Sequence, residues 1–403
     1  MARAYSVLTH EAIIDTQWDK GIKPLLLARY PSATEDDLKD AHAYAYAGAI
    51  IQDMGYYPFG SHFFSDLTHY VRSGDFVVNL LKESQDLNEY AFALGSLAHY
   101  AADTEGHSIA VNRAVPVEYP KLRREFGNVV TYEDDPAAHL KVEFGFDVLQ
   151  VARGNYAPKS YHDFIGFKVA KPVLERAFRD TYGLELKEVF KDLDLALGTY
   201  RRSVSAVIPE MTKVAWDLKK KDLEKAHPGV TRQQFIYRLS KASFHKEWDG
   251  HYEEPGTGAK VLAFFIRIMP KVGPFRSLAF KAPTAATEKF FEDSFDHSLD
   301  RYTKLLREQR TQQLEVADLN FDTGKPTKPG DYRMADDAYS KLAQKLASKD
   351  PATVDASVRQ DVLAYFNDLN QPYRTKEKPK DWQNTVAAVE KLKSEGTAAR
   401  VQQ

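Results

Sequence analysis

A chain of 403 residues, 43% apolar and 28% charged, can bury a sizeable core and lacks the high-charge, low-hydrophobicity signature of disorder. Its 55 basic and 57 acidic side chains leave a net charge of −2, so no global positive field recruits nucleic acid, and a polyanion has to be held by a local site. The absence of cysteine excludes disulfide frameworks, thiolate nucleophiles and every Cys-based metal or redox motif, which leaves His, Asp and Glu as the metal-binding side chains.

At the start of the chain, Met1 to Tyr5 includes no apolar h-region, yet Ala2-Arg3-Ala4 has the small-x-small form that ends a secretory leader. We therefore expect a secreted or periplasmic protein with Tyr5 as its mature N-terminus. No run approaches the roughly 20 apolar residues that span a bilayer. Apolar residues recur at i, i+3, i+4 and i+7 in segment after segment, which predicts an all-α fold. The helices are expected over roughly 10–28, 34–53, 61–82, 86–107, 134–153, 162–180, 185–222, 231–246, 284–316, 334–348, 355–367 and 380–400. Ser32, Thr34 and Asp86 offer N-caps, and Pro31, Pro116, Pro158, Pro228 and Pro283 are assigned to connections.

Between the predicted helices, 258–283 mixes aromatic and aliphatic residues with Lys260, Arg267, Lys271, Arg276 and Lys281 and contains no acid. That composition suits contact with a membrane surface, and a core-packing insertion with solvated lysines accounts for it equally well. Further on, Gly324, Pro326, Pro329 and Gly330 mark a linker. It divides a main domain over 1–320 from a small C-terminal helical region over 331–403.

The chemistry concentrates in the first third, where half of the twelve histidines fall between His10 and His107. His99, Asp103 and His107 stand at i, i+4 and i+8, so one helix face carries three potential ligands. Imidazole with carboxylate is the usual thiolate-free shell of zinc. His139 and Glu143 repeat the i, i+4 pair on a second helix, and His10 and His69 lie beside apolar segments. Asp53 ends the uncharged run 43–52, where a buried carboxylate is costly unless a cation meets it. Tyr56, Tyr57, Phe59, Phe63 and Phe64 lie in a Gly-flanked segment between Asp53 and His69; Tyr56, Tyr57 and Phe64 are the candidates for a substrate-facing wall.

The order Tyr5, His10, Asp53, His69, His99 with Asp103, His107, and His139 with Glu143 resembles the zinc-dependent phospholipase C / S1–P1 nuclease superfamily of trinuclear zinc phosphodiesterases. The four-residue gap from Asp103 to His107 is similar to that of the glycosylphosphatidylinositol-specific phospholipase D branch. Tyr5 stands where that family usually has Trp. The resemblance spans about Tyr5 to Glu143 and implies an all-helical domain with two to three zinc ions. One zinc is expected on Asp53, His69, His99 and Asp103, and a second on His107, His139 and Glu143. The third is expected on His10, the bridging Asp103 and the amine and carbonyl of the mature N-terminal Tyr5, once Met1 to Ala4 are removed. The resemblance also gives Asp53 a catalytic role in orienting or deprotonating the attacking water. The long gap from His107 to His139 leaves a loop over 112–133 to shape the pocket, and Arg72 and Lys121 are phosphate-contact candidates whose simpler reading is solvation.

Three zinc ions among three carboxylates carry a charge of about +3, which suits a phosphodiester and needs no protein nucleophile. Three functional readings compete. The first is a zinc-dependent phospholipase C acting on phospholipids, with 258–283 touching the bilayer. The second is a nuclease or nucleotidase on the same metals, with an aromatic wall to stack a base, although the chain lacks a basic stripe. The third is a scaffold in which zinc is only structural. The three-ligand set His107, His139 and Glu143 leaves an open coordination position and argues against that last reading.

Overall fold

The computed structural model describes residues 5–152, 156, 165–208 and 280–401. They form an all-α fold, with strands limited to the antiparallel two-residue pair Leu319–Asn320 and Lys325–Pro326 among the described residues. The predicted helix 231–246, most of the 258–283 segment, and His227, His245 and His251 lie outside the described residues. No helix among the described residues is long and apolar enough to cross a membrane.

The central element is the 19-residue helix Leu87–Glu105, which we call α6 in a chain-order series: α1 (Val7–Gln17), α2 (Lys23–Arg29), α3 (Glu35–Gly48), α4 (His62–Tyr70) and α5 (Ser73–Glu83) precede it. After it come α7 (Asn112–Glu118), α8 (Pro120–Phe126), α9 (Pro136–Ala152), α10 (Lys171–Tyr182), α11 (Leu193–Arg202), α12 (Ala285–Arg310), α13 (Arg333–Ala347), α14 (Ala356–Tyr365) and α15 (Pro379–Val401). Asp86 caps α6 by accepting from the Glu89 backbone N–H at 2.8 Å, and a capping box between Thr34 and Asp37 starts α3. Every α6 residue from Glu89 to Thr104 is buried, with α1, α3, α5 and α12 packed around it.

Two glycines set how closely α3 and α6 meet. A Cβ built on Gly48 would lie 1.9 Å from Phe92 O, and one on Gly95 would lie 2.1 Å from Ala45 O. Only glycine permits this backbone approach, and it brings Ala49 O to 2.9 Å from His99 Nδ1.

Several predicted elements are corrected. The single helix expected over 61–82 is two, α4 and α5, because Arg72 adopts a left-handed backbone (φ 47°) that a helix cannot continue through. Tertiary bonds hold this turn: the Arg72 guanidinium binds Asp75 and Thr181 O, and Ser73 Oγ donates to Leu319 O at 2.6 Å. These bonds also commit Arg72 to structure rather than to phosphate.

The segment 112–133 is not an open loop but contains α7 and α8, and Pro116 sits inside α7. Lacking an N–H, Pro116 leaves the carbonyl of Asn112 without its helical donor. Val130 N–H takes that place at 2.9 Å. The expected helix over 185–222 is, as far as it is described, a short 3₁₀ turn at Leu186–Glu188, then α11 and a π turn at Ser203–Val207.

Residues 319–332 run against the body of the protein. Leu319, Phe321 and Tyr332 join the same buried cluster as α6, and α13 packs on α4.

Candidate metal centre

The cluster is assembled from five segments. His10 lies in the first turn of α1, whose start is tied to α9: Asp147 accepts from Leu8 N–H at 3.0 Å and from the Thr9 hydroxyl at 2.6 Å. Asp53 lies in the 3₁₀ turn Ile51–Tyr56 after α3. That turn is pinned on both sides. Gln52 Nε2 donates to Ser96 of α6 at 2.8 Å, and Ser65 Oγ of α4 accepts from Gly55 N–H at 3.0 Å. Asp53 is thereby set beside His69, which sits at the C-terminal end of α4.

His99 and Asp103 lie one turn apart on α6, and His107 lies in the π turn Gly106–Val111 that continues it. His139 and Glu143 share one face of α9. All eight residues are at most 1% exposed.

Asp103 is the hub. Its Oδ1 is 3.4 Å from His10 Nε2, and its Oδ2 is 3.2, 3.5 and 3.9 Å from Nε2 of His99, His69 and His107. His69 Nε2 also lies 3.5 Å from Asp53 Oδ1, and His139 Nδ1 lies 3.8 Å from Glu143 Oε1. Neither oxygen of Asp103 accepts a hydrogen bond among the described residues. Two ligand atoms each about 2.1 Å from a tetrahedral zinc stand about 3.4 Å apart. These spacings fit such a shared ion better than they fit direct hydrogen bonds.

Three groups bring their ligand atoms within 4.8 Å of one another: His10 with His99 and Asp103; Asp53 with His69 and His99; and His107 with His139 and Glu143.

Ring tautomers follow from what lies behind each histidine. His69 Nδ1 faces Ser65 O at 2.8 Å, His99 Nδ1 faces Ala49 O at 2.9 Å, and His139 Nε2 faces Val130 O at 2.6 Å. A carbonyl only accepts, so each of these nitrogens carries the proton and the other keeps its lone pair for the cluster. The role of Pro116 is now visible: it frees Asn112 O for Val130, and Val130 O in turn orients His139. His107 differs, since its Nδ1 lies 3.1 Å from the carboxylate of Asp322.

Electrostatics match a site built to hold positive charge. Burial opposes ionisation of Asp103, but the charge of His99, the close approach of the His69 and His99 rings and the charge of His10 outweigh it and hold the acid well below the usual carboxylate range. Burial opposes the charge on His69 as well, yet Asp103 and Asp53 push that ring up to about 10. Burial dominates at His107 and brings it down to about 4, so it is the neutral ligand form at pH 7.

The remaining predicted residues are dispersed. The Tyr5 ring stands edge-on to His10 with centroids 6.1 Å apart, and its hydroxyl meets Ser294 Oγ at 2.6 Å; Met1 to Ala4 lie outside the described residues. Tyr56 packs edge-on to His69 at 5.9 Å, with its hydroxyl buried. Tyr57 packs on Tyr200 at 5.0 Å. Phe64 is a correction: fully buried against Phe76, Phe178 and Phe190, it belongs to the core and cannot line a substrate wall. That burial is worth about 1.5–3 kcal/mol.

Sequence reasoning missed Asp322 and Phe321. The Phe321 ring lies 5.2 Å from that of His69 and 6.0 Å from that of His99, and its N–H donates to His69 O at 3.1 Å. The readable signal was the turn Asn320 to Gly324, not its distant partners.

Residues 9–192 match the family described as zinc dependent phospholipase C. No curated protein and no solved structure matches the chain.

Proposed function

From a chain that belongs, through residues 9–192, to the zinc-dependent phospholipase C / P1 nuclease-like superfamily and is a zinc-dependent phosphodiester hydrolase, we propose a phospholipid substrate cleaved at the cluster around Asp103. The observation that carries this reading is the ring of four imidazole nitrogens within 3.2–3.9 Å of the oxygens of Asp103. We read Asp53, His69, His99 and Asp103 as one zinc site and His107, His139 and Glu143 as another. His10 and Asp103, together with Tyr5, form the third.

The chemistry that zinc supplies when bound is polarisation of phosphoryl oxygens and acidification of water. The chain's own residues do the rest. Asp53, a fully buried carboxylate held by the pinned 51–56 turn, orients the attacking water and takes its proton. Ser65 O, Ala49 O and Val130 O hold the imidazoles in the ligand tautomer, so the site needs no rearrangement as the reaction proceeds. Tyr56, beside His69, forms part of the substrate wall.

A lipid is favoured over a polynucleotide by two exposed apolar side chains on segments that hold the site. Phe59, 63% exposed, follows the Asp53 turn, and Val129, 53% exposed, precedes the residue that orients His139. Such residues suit a bilayer surface.

The test compares phosphocholine release from phosphatidylcholine vesicles with cleavage of single-stranded DNA, each with and without chelator. Chelator-sensitive phosphocholine release, lowered at least about hundredfold by Asp53→Asn, supports the proposal. Cleavage of DNA alone would replace it.

A further inference from the structure

The turn after Asn320 reaches the metal cluster from far outside residues 9–192, the part that matches the family. We propose that Asp322 is a positioning residue for His107, so that the active site is completed by the C-terminal third of the chain. This inference rests on reading His107, His139 and Glu143 as a zinc site.

The geometry separates the two oxygens of Asp322. Oδ2 accepts from Tyr132 N–H and from the Tyr332 hydroxyl, both at 2.8 Å. Oδ1 faces His107 Nδ1 at 3.1 Å, an ion-pair distance, and neither of these two buried atoms has a hydrogen-bond partner among the described residues. The acid is 1% exposed, so water does not compete for it. A carboxylate there keeps the proton on Nδ1 and turns the Nε2 lone pair toward Asp103, 3.9 Å away. The other three oriented rings rest on neutral backbone carbonyls. Of these four rings His107 alone has a carboxylate behind it, which makes its imidazole the more basic ligand.

The backbone of the turn is fixed as well. Asn320 Oδ1 accepts from the N–H groups of Asp322 and Thr323 at 2.9 and 3.1 Å, and Asn112 Nδ2 donates to Asp322 O at 2.7 Å. Gly324, at φ 67°, lies so close to the end of α6 that a Cβ would stand 2.6 Å from Thr104 O. The carboxylate is therefore delivered by a turn clamped between α6 and α7, a fixed support for a ligand.

The test uses the full chain and three variants. Asp322→Asn keeps the shape and the bonds from Tyr132 and Tyr332 but removes the charge; Asp322→Ala removes the acceptor; His107→Ala marks what the ligand itself contributes. Zinc content is measured by elemental analysis after dialysis against graded chelator. The cobalt-substituted protein is examined by visible absorption, and the imidazole nitrogens by ¹⁵N NMR.

We expect Asp322→Asn to hold one zinc about 10–100-fold more weakly, to retain the others, and to shift the His107 nitrogen signals, with the helical circular dichroism unchanged. A kcat loss at constant KM should accompany it. If His107→Ala loses one zinc and Asp322→Asn keeps every zinc at wild-type affinity with unmoved His107 signals, the positioning role is overturned. If His107→Ala loses none, the ligand reading fails and this inference with it. Should Asp322→Ala fail to fold, Asp322→Asn decides alone.

Discussion

The Nε2 atoms of His69 and His99 face each other at 3.5 Å, although each ring already commits its Nδ1 proton to a carbonyl, Ser65 O or Ala49 O. Two lone pairs aimed at each other in a buried site repel unless something positive lies between them. An added proton on His69 supplies that charge, and against the opposing effect of burial the carboxylates of Asp103 and Asp53 push this ring up to about 10. On the proposed reading, zinc would supply it better, held by both nitrogens together with Asp53 and Asp103.

Zinc removal should therefore lower stability. At free zinc a thousandfold above a site's dissociation constant, each occupied site contributes about 4 kcal/mol. Urea unfolding with and without chelator should show a loss of at least that size, restored by zinc and not by magnesium, which prefers oxygen ligands in octahedral array. Equal midpoints in both conditions would sink the cluster as a metal site.

The α3–α6 contact gives a second prediction. In Gly95→Ala the new Cβ would lie 2.1 Å from Ala45 O, backbone that cannot move without parting the two helices. Overpacking of this kind costs about 1–3 kcal/mol and here at least the upper end of that range. Because Ala49 O supports His99 from the same contact, zinc affinity should fall too, measured by chelator competition. A variant as stable as wild type with unchanged zinc affinity would show that the helices separate freely.

Much of this was legible in the sequence, and the boundary of legibility is physical. The amphipathic period and the caps at Thr34 and Asp86 are local, so the helices containing His99, Asp103, His139 and Glu143 could be read directly. Ligand candidates also stand in recognisable order. The break at Arg72 could not be read, because it is held by Thr181 O and Leu319 O, more than a hundred residues away. Phe64 looked like its aromatic neighbours, and only the packing of Phe178 and Phe190 separates it from a wall residue. The stretch marked by Gly324, Pro326, Pro329 and Gly330 reads as a linker because those residues mark turns; nothing local reveals that the Asp322 carboxylate faces His107.

Tyr56 separates binding from stability. Its hydroxyl is buried without a hydrogen-bond partner among the described residues, and burial followed by nearby negative groups holds its pKa well above the usual tyrosine value. It is a neutral donor at any working pH. Tyr56→Phe should leave stability unchanged within about 0.5 kcal/mol or raise it, since an unsatisfied hydroxyl is removed. If that hydroxyl donates to the phosphate of the substrate, KM should rise about tenfold, as for a hydrogen bond to a charged group. Steady-state kinetics on phosphocholine esters decide it; an unchanged KM would remove Tyr56 from the binding wall.

A last prediction concerns pH and lies away from the metal ligands. Asp361 of α14 is raised to about 6, first by burial and then by the charge of Asp318, against the opposing pull of Arg72 and a bond from Tyr339. The unfolded aspartate titrates near 3.9. Between about pH 4 and pH 6 the folded chain therefore holds a proton that the unfolded chain has released. The contribution of this group to stability accordingly falls as pH rises through that window, and the full penalty is present above about pH 7. Asp361→Asn cannot ionise and should escape it. The variant is expected to match wild type near pH 4 and to exceed it by about 1–3 kcal/mol near pH 7.5. Urea midpoints at the two pH values check this, and the difference between variant and wild type cancels the pH dependence of the shared histidine cluster. A variant offset that stays constant from pH 4 to 7.5 would mean that Asp361 ionises at its ordinary value and that its burial carries no electrostatic cost.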